Sequence, residues 1–200
     1  MSGLDVGVLE PVTLPSTEPI TLALAKSHLR VPHELDDTYI TQCIRAARDI
    51  GERITERRFL TQTWKVYLDE FPGPGREILV PYPPLQSVTS IGYVDENGDS
   101  QTWSASSYIV DTGQEPGRIR LAYGQVWPTP RLQPRAVTIT FVCGYGADGD
   151  SLPPELLQTL LVELSRRYEF REPIITGTIA TELPGFDRLW WPFRVLGADS

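Results

Sequence analysis

Histidine, cysteine and lysine are scarce in this chain, with two of each among 200 residues. His28 and His33 have no partner pair at metal-ligand spacing, so a zinc-type centre lacks its donors. Cys43 and Cys143 form no C-x-x-C motif and read as small apolar core residues, which leans the chain toward a reducing compartment. The nucleophile pattern G-x-S-x-G is missing, as are the glycine patterns that cradle nucleotides. "GYGADGD", from Gly144, is glycine-rich but has no lysine to hold a phosphate, and it reads as a loop leading into a helix. No stretch approaches the roughly 18 apolar residues of a membrane helix. The opening "MSGLDVGVLEPVTLP" lacks the basic start and apolar run of a secretory signal. These absences argue against an enzyme, a metal site, a bound cofactor and a membrane span.

What is present is a globular composition, 40% hydrophobic and 22% charged, with a net charge of −8. That sign repels polyphosphate, so nucleic acid is disfavoured as a tightly held ligand. Sixteen of the eighteen basic residues are arginine, which suits fixed multi-donor contacts to carboxylates or carbonyls. Asp95, Glu96 and Asp99 surround Asn97-Gly98 and read as turn residues. A calcium loop would need a longer alternation of oxygen ligands, and no acid pair is marked for glycoside chemistry.

The pattern along the chain predicts an α+β protein: a helical core with an inserted antiparallel β domain and a C-terminal docking tail. Residues 1–19, with Pro11, Pro15 and Pro19, read as an extended N-terminal arm. Helices are expected at about 21–30, capped by Thr21, and at about 36–57, capped by Asp36 or Asp37 with Leu35 stapled against Ile40. Ile40, Cys43, Ile44, Ala47, Ile50 and Ile54 supply the apolar face of the second helix. Its other face mixes signs and reads as a solvated surface. A third helix, about 153–172, opens on Pro153-Pro154 and carries Leu157, Leu160, Leu161, Leu164 and Tyr168. The helical core thus spans 20–58 and 150–172.

Between these helical parts the period changes to two. Trp64, Val66 and Leu68 alternate with polar neighbours, Asn97-Gly98 marks a hairpin, and Val137, Ile139, Phe141 and Cys143 share one face. Residues 59–149 are therefore an inserted sheet, sandwich or small barrel. Trp64, Trp103 and Trp127 fit core or turn packing, and the competing reading is an aromatic platform that stacks on sugars.

The C-terminal stretch 173–200 begins with a Pro/Gly-rich connector and ends in "PGFDRLWWPFRV". Large aromatics in a terminal segment either fold back on their own core or anchor another chain, and both readings stand. Leu189, Trp190 and Phe193 have the spacing of one face of a short helix, which Pro192 limits.

The phrases "ITLALAKSHLRV", "DDTYITQCIRAARDIGERITERRFLTQTWKVYLDEFP", "ILVPYPPLQSVTSIGYVDENG", "YIVDTGQEPGRIRLAYGQVWP", "AVTITFVCGYG" and "LPPELLQTLLVELSRRYEFRE", in this order, resemble the tailed-phage head-to-tail connector family. These are the adaptor, or head-completion, proteins of phages, prophages and gene transfer agents. The resemblance spans about residues 20–172 and rests on the order of phrases, not on one motif. It implies a structural, non-enzymatic protein without a cofactor. Such a protein forms a ring, typically of twelve subunits, below the portal protein, and joins it to a downstream stopper or tail-completion protein. DNA passes through the lumen without sequence-specific binding. The place implied is the neck of a virion or phage-like particle, reached from the host cytoplasm.

With this resemblance, Phe186, Arg188, Leu189, Trp190, Trp191, Phe193 and Arg194 become candidates for portal binding. Arg45, Arg48, Arg53, Arg57 and Arg58, on the mixed-charge helix face, become candidates for contacts between subunits, which close into a ring when head-to-tail rotation allows. The alternatives are a stopper or tail-terminator role further down the neck, and a β-domain module that binds carbohydrate or protein.

Overall fold

The computed structural model describes residues 7–170 and 187–195. Among the described residues the chain is α+β, with three α-helices and two antiparallel sheets, divided into two compact units. One unit holds Met1–Pro15, Thr61–Tyr145 and Val195–Ser200; the other holds Ser16–Leu60 and Gly146–Arg194. Among the described residues no helix is long and apolar enough to cross a membrane.

In the sheet unit, five strands run in the order β1 (Val8–Thr13), β2 (Gln62–Leu68), β8 (Val137–Cys143), β4 (Leu85–Val94), β5 (Ser100–Trp103). A second sheet has the order β3 (Ile78–Val80), β7 (Gly117–Leu121), β6 (Tyr108–Asp111). The first sheet ends in β1 on one side and β5 on the other, so it is open and not a barrel. Both sheets contribute to one core, in which Val66, Ile91, Ile119, Ile139 and Phe141 are buried. The alternation expected of β8 is met in full: Val137, Ile139, Phe141 and Cys143 are buried, and the residues between them are half-exposed. Trp64, Trp103 and Trp127 pack against this core, with Trp127 stacked on Phe71 at 5.2 Å. An open aromatic platform for sugar rings is therefore not formed by these three.

The Asn97-Gly98 hairpin joins β4 to β5, with Val94 opposite Ser100. Gly98 takes φ +94, and Asp95 serves the turn directly: its carboxylate accepts the Asn97 and Asp99 N–H groups and the Gln101 side-chain amide. These bonds, the Gln101 one foremost, hold the Asp95 carboxyl below its ordinary value.

Within the stretch expected as an N-terminal arm, residues 1–19, Val8–Thr13 form β1, an edge strand paired antiparallel to β2 from Val8↔Tyr67 to Thr13↔Thr63. Of its residues only Leu9 is even half-buried, so no period of two could be written into its sequence. Pro11 is tolerated because an edge strand need not donate on its outer side.

In the helical unit, α1 (Leu22–Leu29) starts where Thr21 Oγ1 accepts the Leu24 N–H, as expected, and stops at Arg30 in the left-handed region, φ 59. Helix α2 (Asp37–Thr55) stops the same way at Glu56, φ 57. The staple expected before α2 is not made: Leu35 is 90% exposed. Asp36 makes no capping bond to its own helix, and its carboxylate accepts instead from the Tyr168 hydroxyl at 2.6 Å. Helix α3 (Pro154–Glu169) packs on α2. Tyr39 donates to the Arg167 carbonyl, and its ring lies 5.9 Å from that of Tyr168, so the start of α2 meets the end of α3. Of the stripe expected on α3, Leu160, Leu161 and Leu164 are buried, Leu157 and Tyr168 are only half-buried, and Leu156 is buried in addition.

Ile139 sits on the central strand, fully buried and paired on both sides. Ile139→Ala is expected to lower the unfolding free energy by about 2–5 kcal/mol, read by urea denaturation. A loss below about 1 kcal/mol would contradict this account of the core.

Candidate functional site: the tail anchor on the second helix

The sequence "RDIGERITERRF" ends α2 with a glycine where a helix loses about 1 kcal/mol relative to alanine. The structure gives the reason. A Cβ added at Gly51 would lie 2.6 Å from Cη2 of Trp190 and 2.9 Å from Phe59, so only glycine lets the indole approach. Trp190 is fully buried and stacks on Phe59, with ring centroids 6.4 Å apart and planes 6° from parallel. Among the described residues its Nε1–H has no hydrogen-bond acceptor, so packing holds the ring. The magnitudes allow this: burying about 150–250 Å² of indole stabilises by roughly 4–6 kcal/mol, against about 1–3 kcal/mol for one orphaned donor.

Around Trp190 the chain makes two consecutive 3-10 turns, Asp187–Leu189 and Trp191–Phe193. With three residues per turn, positions i and i+3 eclipse and adjacent residues diverge. Trp190 and Phe193 accordingly face inward to different depths, whereas Leu189 and Trp191 point out, 41% and 66% exposed. The single face expected for Leu189, Trp190 and Phe193 is therefore split, because the turns are 3-10 and not α-helical. Arg57 closes the site by donating from Nε to the Phe193 carbonyl.

A buried polar hub lies beside this anchor. Glu52, expected on the solvated face of α2, is buried, and its Oε1 accepts the Phe59 N–H at 2.9 Å. Its Oε2 lies 3.7 Å from Arg48 and 3.9 Å from Arg58. Burial raises the Glu52 carboxyl above its ordinary value, opposed by the Phe59 N–H and the two guanidinium groups. Arg48 also binds Glu18 through Nε at 2.7 Å and Asp49 at 3.0 Å. A second buried carboxylate, Glu163 on α3, is held by Arg166 at 2.9 Å and Arg167 at 2.6 Å.

The arginines proposed for contacts between subunits thus separate. Arg48, Arg57 and Arg58 are directed into their own unit, where the buried Glu52 and the Phe193 carbonyl need donors. Arg45, 3.8 Å from Glu18, and Arg53 lie on the exposed side of α2. In the tail, Arg188 is exposed and Arg194 half-buried, and Phe186 lies outside the described residues. Gly51, Glu52 and Phe59 were not picked out from the sequence. The one available signal was a glycine inside a strongly amphipathic helix, which marks a close approach.

Nothing in this arrangement combines a nucleophile, a base and a cavity, and among the described residues no three His, Cys, Asp or Glu side chains gather as metal ligands.

No family model matches the sequence, and no curated protein matches it. Solved structures do. The fold is similar to a chain in the neck of an empty gene transfer agent particle with C6 symmetry, at 24% identity and TM-score 0.78. It is also similar to chains in the virion of a native gene transfer agent particle, at 22% and 0.76, and in the neck of a native particle with C12 symmetry, at 23% and 0.75. Each likeness covers 94% of this chain and 96% of the other.

Trp190→Ala is expected to cost about 3–5 kcal/mol of unfolding free energy, and Trp190→Phe less, in urea denaturation. Gly51→Ala should also destabilise, because its methyl group would strike the indole; an unchanged Gly51→Ala midpoint would count against the anchor. Glu52 gives a pH signature. Its folded value lies above the ordinary 4.5, so its contribution is fully present below that value and is lost as pH rises through the folded value. The stability of the native chain relative to Glu52→Gln should therefore fall as the pH rises above the ordinary 4.5. A pH-independent difference would show that burial does not perturb this carboxyl.

Proposed function

We propose that this chain is a structural, non-enzymatic neck component of a phage-like particle: a head-to-tail adaptor that forms a ring under the portal and passes DNA through its lumen. The observation that carries the reading is the fold similarity over 94% of the chain to chains of gene transfer agent particles, two of them from particle necks. The ring we propose has twelve subunits, a number that the C12 symmetry of one of these necks supports and the C6 symmetry of another accommodates. The net charge of −8 also supports it, since a lumen that held phosphate strongly would hinder DNA passage. The working place is the particle neck, reached from the host cytoplasm, and the far side of the ring meets a stopper or tail-completion protein.

Within this reading, the 3-10 tail is the portal-docking element, and the anchor assigns different tasks to its residues. Trp190 fixes the tail to its own subunit, and Leu189, Trp191 and the exposed Arg188 are what it offers outward. An apolar pair on a fixed pivot loses little conformational entropy when it meets a partner pocket. Arg45 and Arg53 are the arginines of α2 placed for a head-to-tail contact with the next subunit.

Purified protein mixed with the portal of its particle should decorate it as a ring in electron microscopy. Leu189→Ser with Trp191→Ser should keep the thermal midpoint while weakening portal binding by roughly tenfold or more. Arg45→Glu with Arg53→Glu should leave the monomer folded and impair ring closure. No binding to any portal would sink the adaptor reading; binding to a tail-completion protein alone would assign the chain to the stopper position.

A further inference from the structure

The connection from β7 to β8, residues 122–136, has neither helix nor strand, yet it is fastened along its length. Ala122 donates its N–H to the Ser107 carbonyl at 3.0 Å, Arg131 to the Val94 carbonyl at 2.8 Å, and Arg135 to Asp69 Oδ1 at 2.8 Å. Between these points the Trp127 ring lies on Phe71 and tilts against Trp103 at 5.0 Å. Pro128, Pro130 and Pro134 restrict three more backbone positions. A connection of this length without secondary structure of its own usually carries a function.

The same loop turns large apolar side chains to solvent. Tyr123 is fully exposed, Val126 78% and Leu132 97%, and none of them belongs to the core of its unit. Single exposed apolar residues are ordinary on a protein surface. Three on one fastened loop, next to a tryptophan that is tucked in, are a presentation. Leu132 also lines a shallow groove with Asp69, Glu70, Glu96 and Arg131, where carboxylates outnumber the guanidinium three to one. That sign repels a phosphate backbone, and the exposed apolar groups call for a dehydrated partner surface.

We infer that loop 122–136 and the acidic groove beside it form a docking surface for a segment of another protein that sets arginine or lysine next to apolar side chains. The apolar partner groups cover Tyr123, Val126 and Leu132, and the basic groups meet Asp69, Glu70 and Glu96. Because the loop is already fixed by Trp127 and its backbone bonds, binding orders little new chain. The inference stands on this unit's own surface and needs no portal.

A displayed library of random peptides selected on the full chain tests it. The retained peptides should carry Arg or Lys beside apolar residues, and should bind Tyr123→Ser/Val126→Ser/Leu132→Ser at least roughly tenfold more weakly. Their affinity should fall with added salt and on Glu70→Gln with Glu96→Gln, a pair that leaves the Asp69–Arg135 bond in place and serves as the readout if the serine variant does not fold. Failure to enrich any peptide, enrichment of acidic ones, or equal binding to native and variant chains would overturn the inference. Self-association of the native chain that the serine variant abolishes would also overturn it, and would give the loop to a second copy. Since only the isolated chain is used, this result and the portal result can fail independently.

Discussion

Strand β8 is paired on both edges, to β2 and to β4, and buries every second side chain. Each of its neighbours in turn holds an outer strand, β1 on β2 and β5 on β4, so all five strands take their register from this one. A shift of β8 by one residue would turn Val137, Ile139, Phe141 and Cys143 to the other face and place Thr138, Thr140 and Val142 in the core. The loop that displays Tyr123, Val126 and Leu132 ends where β8 begins, and Val94 at the end of β4 holds that loop through the Arg131 N–H. The surface of this unit is thus fixed by pairings made in its interior.

The helical unit rests on a different kind of constraint. Its tail is held by an aromatic stack over a glycine, and the stack is flanked by largely buried charges. Glu52 is acceptable there because Phe59, Arg48 and Arg58 surround it; removing one partner would leave the others buried without compensation. This explains why arginine suits the site better than lysine: a planar fork can serve a carboxylate and a backbone carbonyl at fixed angles. It also separates two roles that the tail combines, an inward residue that fixes position and outward residues that remain available.

The parts legible in the sequence were those where one face is buried and the other wet. The hairpin at Asn97-Gly98, the alternation of β8, the helical spacing of Ile40, Cys43, Ile44 and Ala47, and the cap at Thr21 all follow local rules of backbone and burial. Strand β1 was not legible as a strand, since an edge that buries almost nothing leaves no pattern. Leu35 had the spacing of a staple but found no partner, because Asp36 turned to Tyr168, 132 residues away. Glu52 and Arg57 looked like surface residues, because charge alone does not reveal that two arginines and a tail carbonyl converge on the same helix end.

By itself the sequence determined the class of elements, their order, the hairpin and the core faces, because these depend on periodicity and on neighbours within a few residues. It also determined that the tail had apolar anchors to place. Only the tertiary structure decided which anchor goes where: Trp190 turns in because Gly51 leaves room above Phe59, and Trp191 turns out because a 3-10 turn separates adjacent side chains. That choice depends on a contact between residues 139 positions apart, which no local pattern can encode.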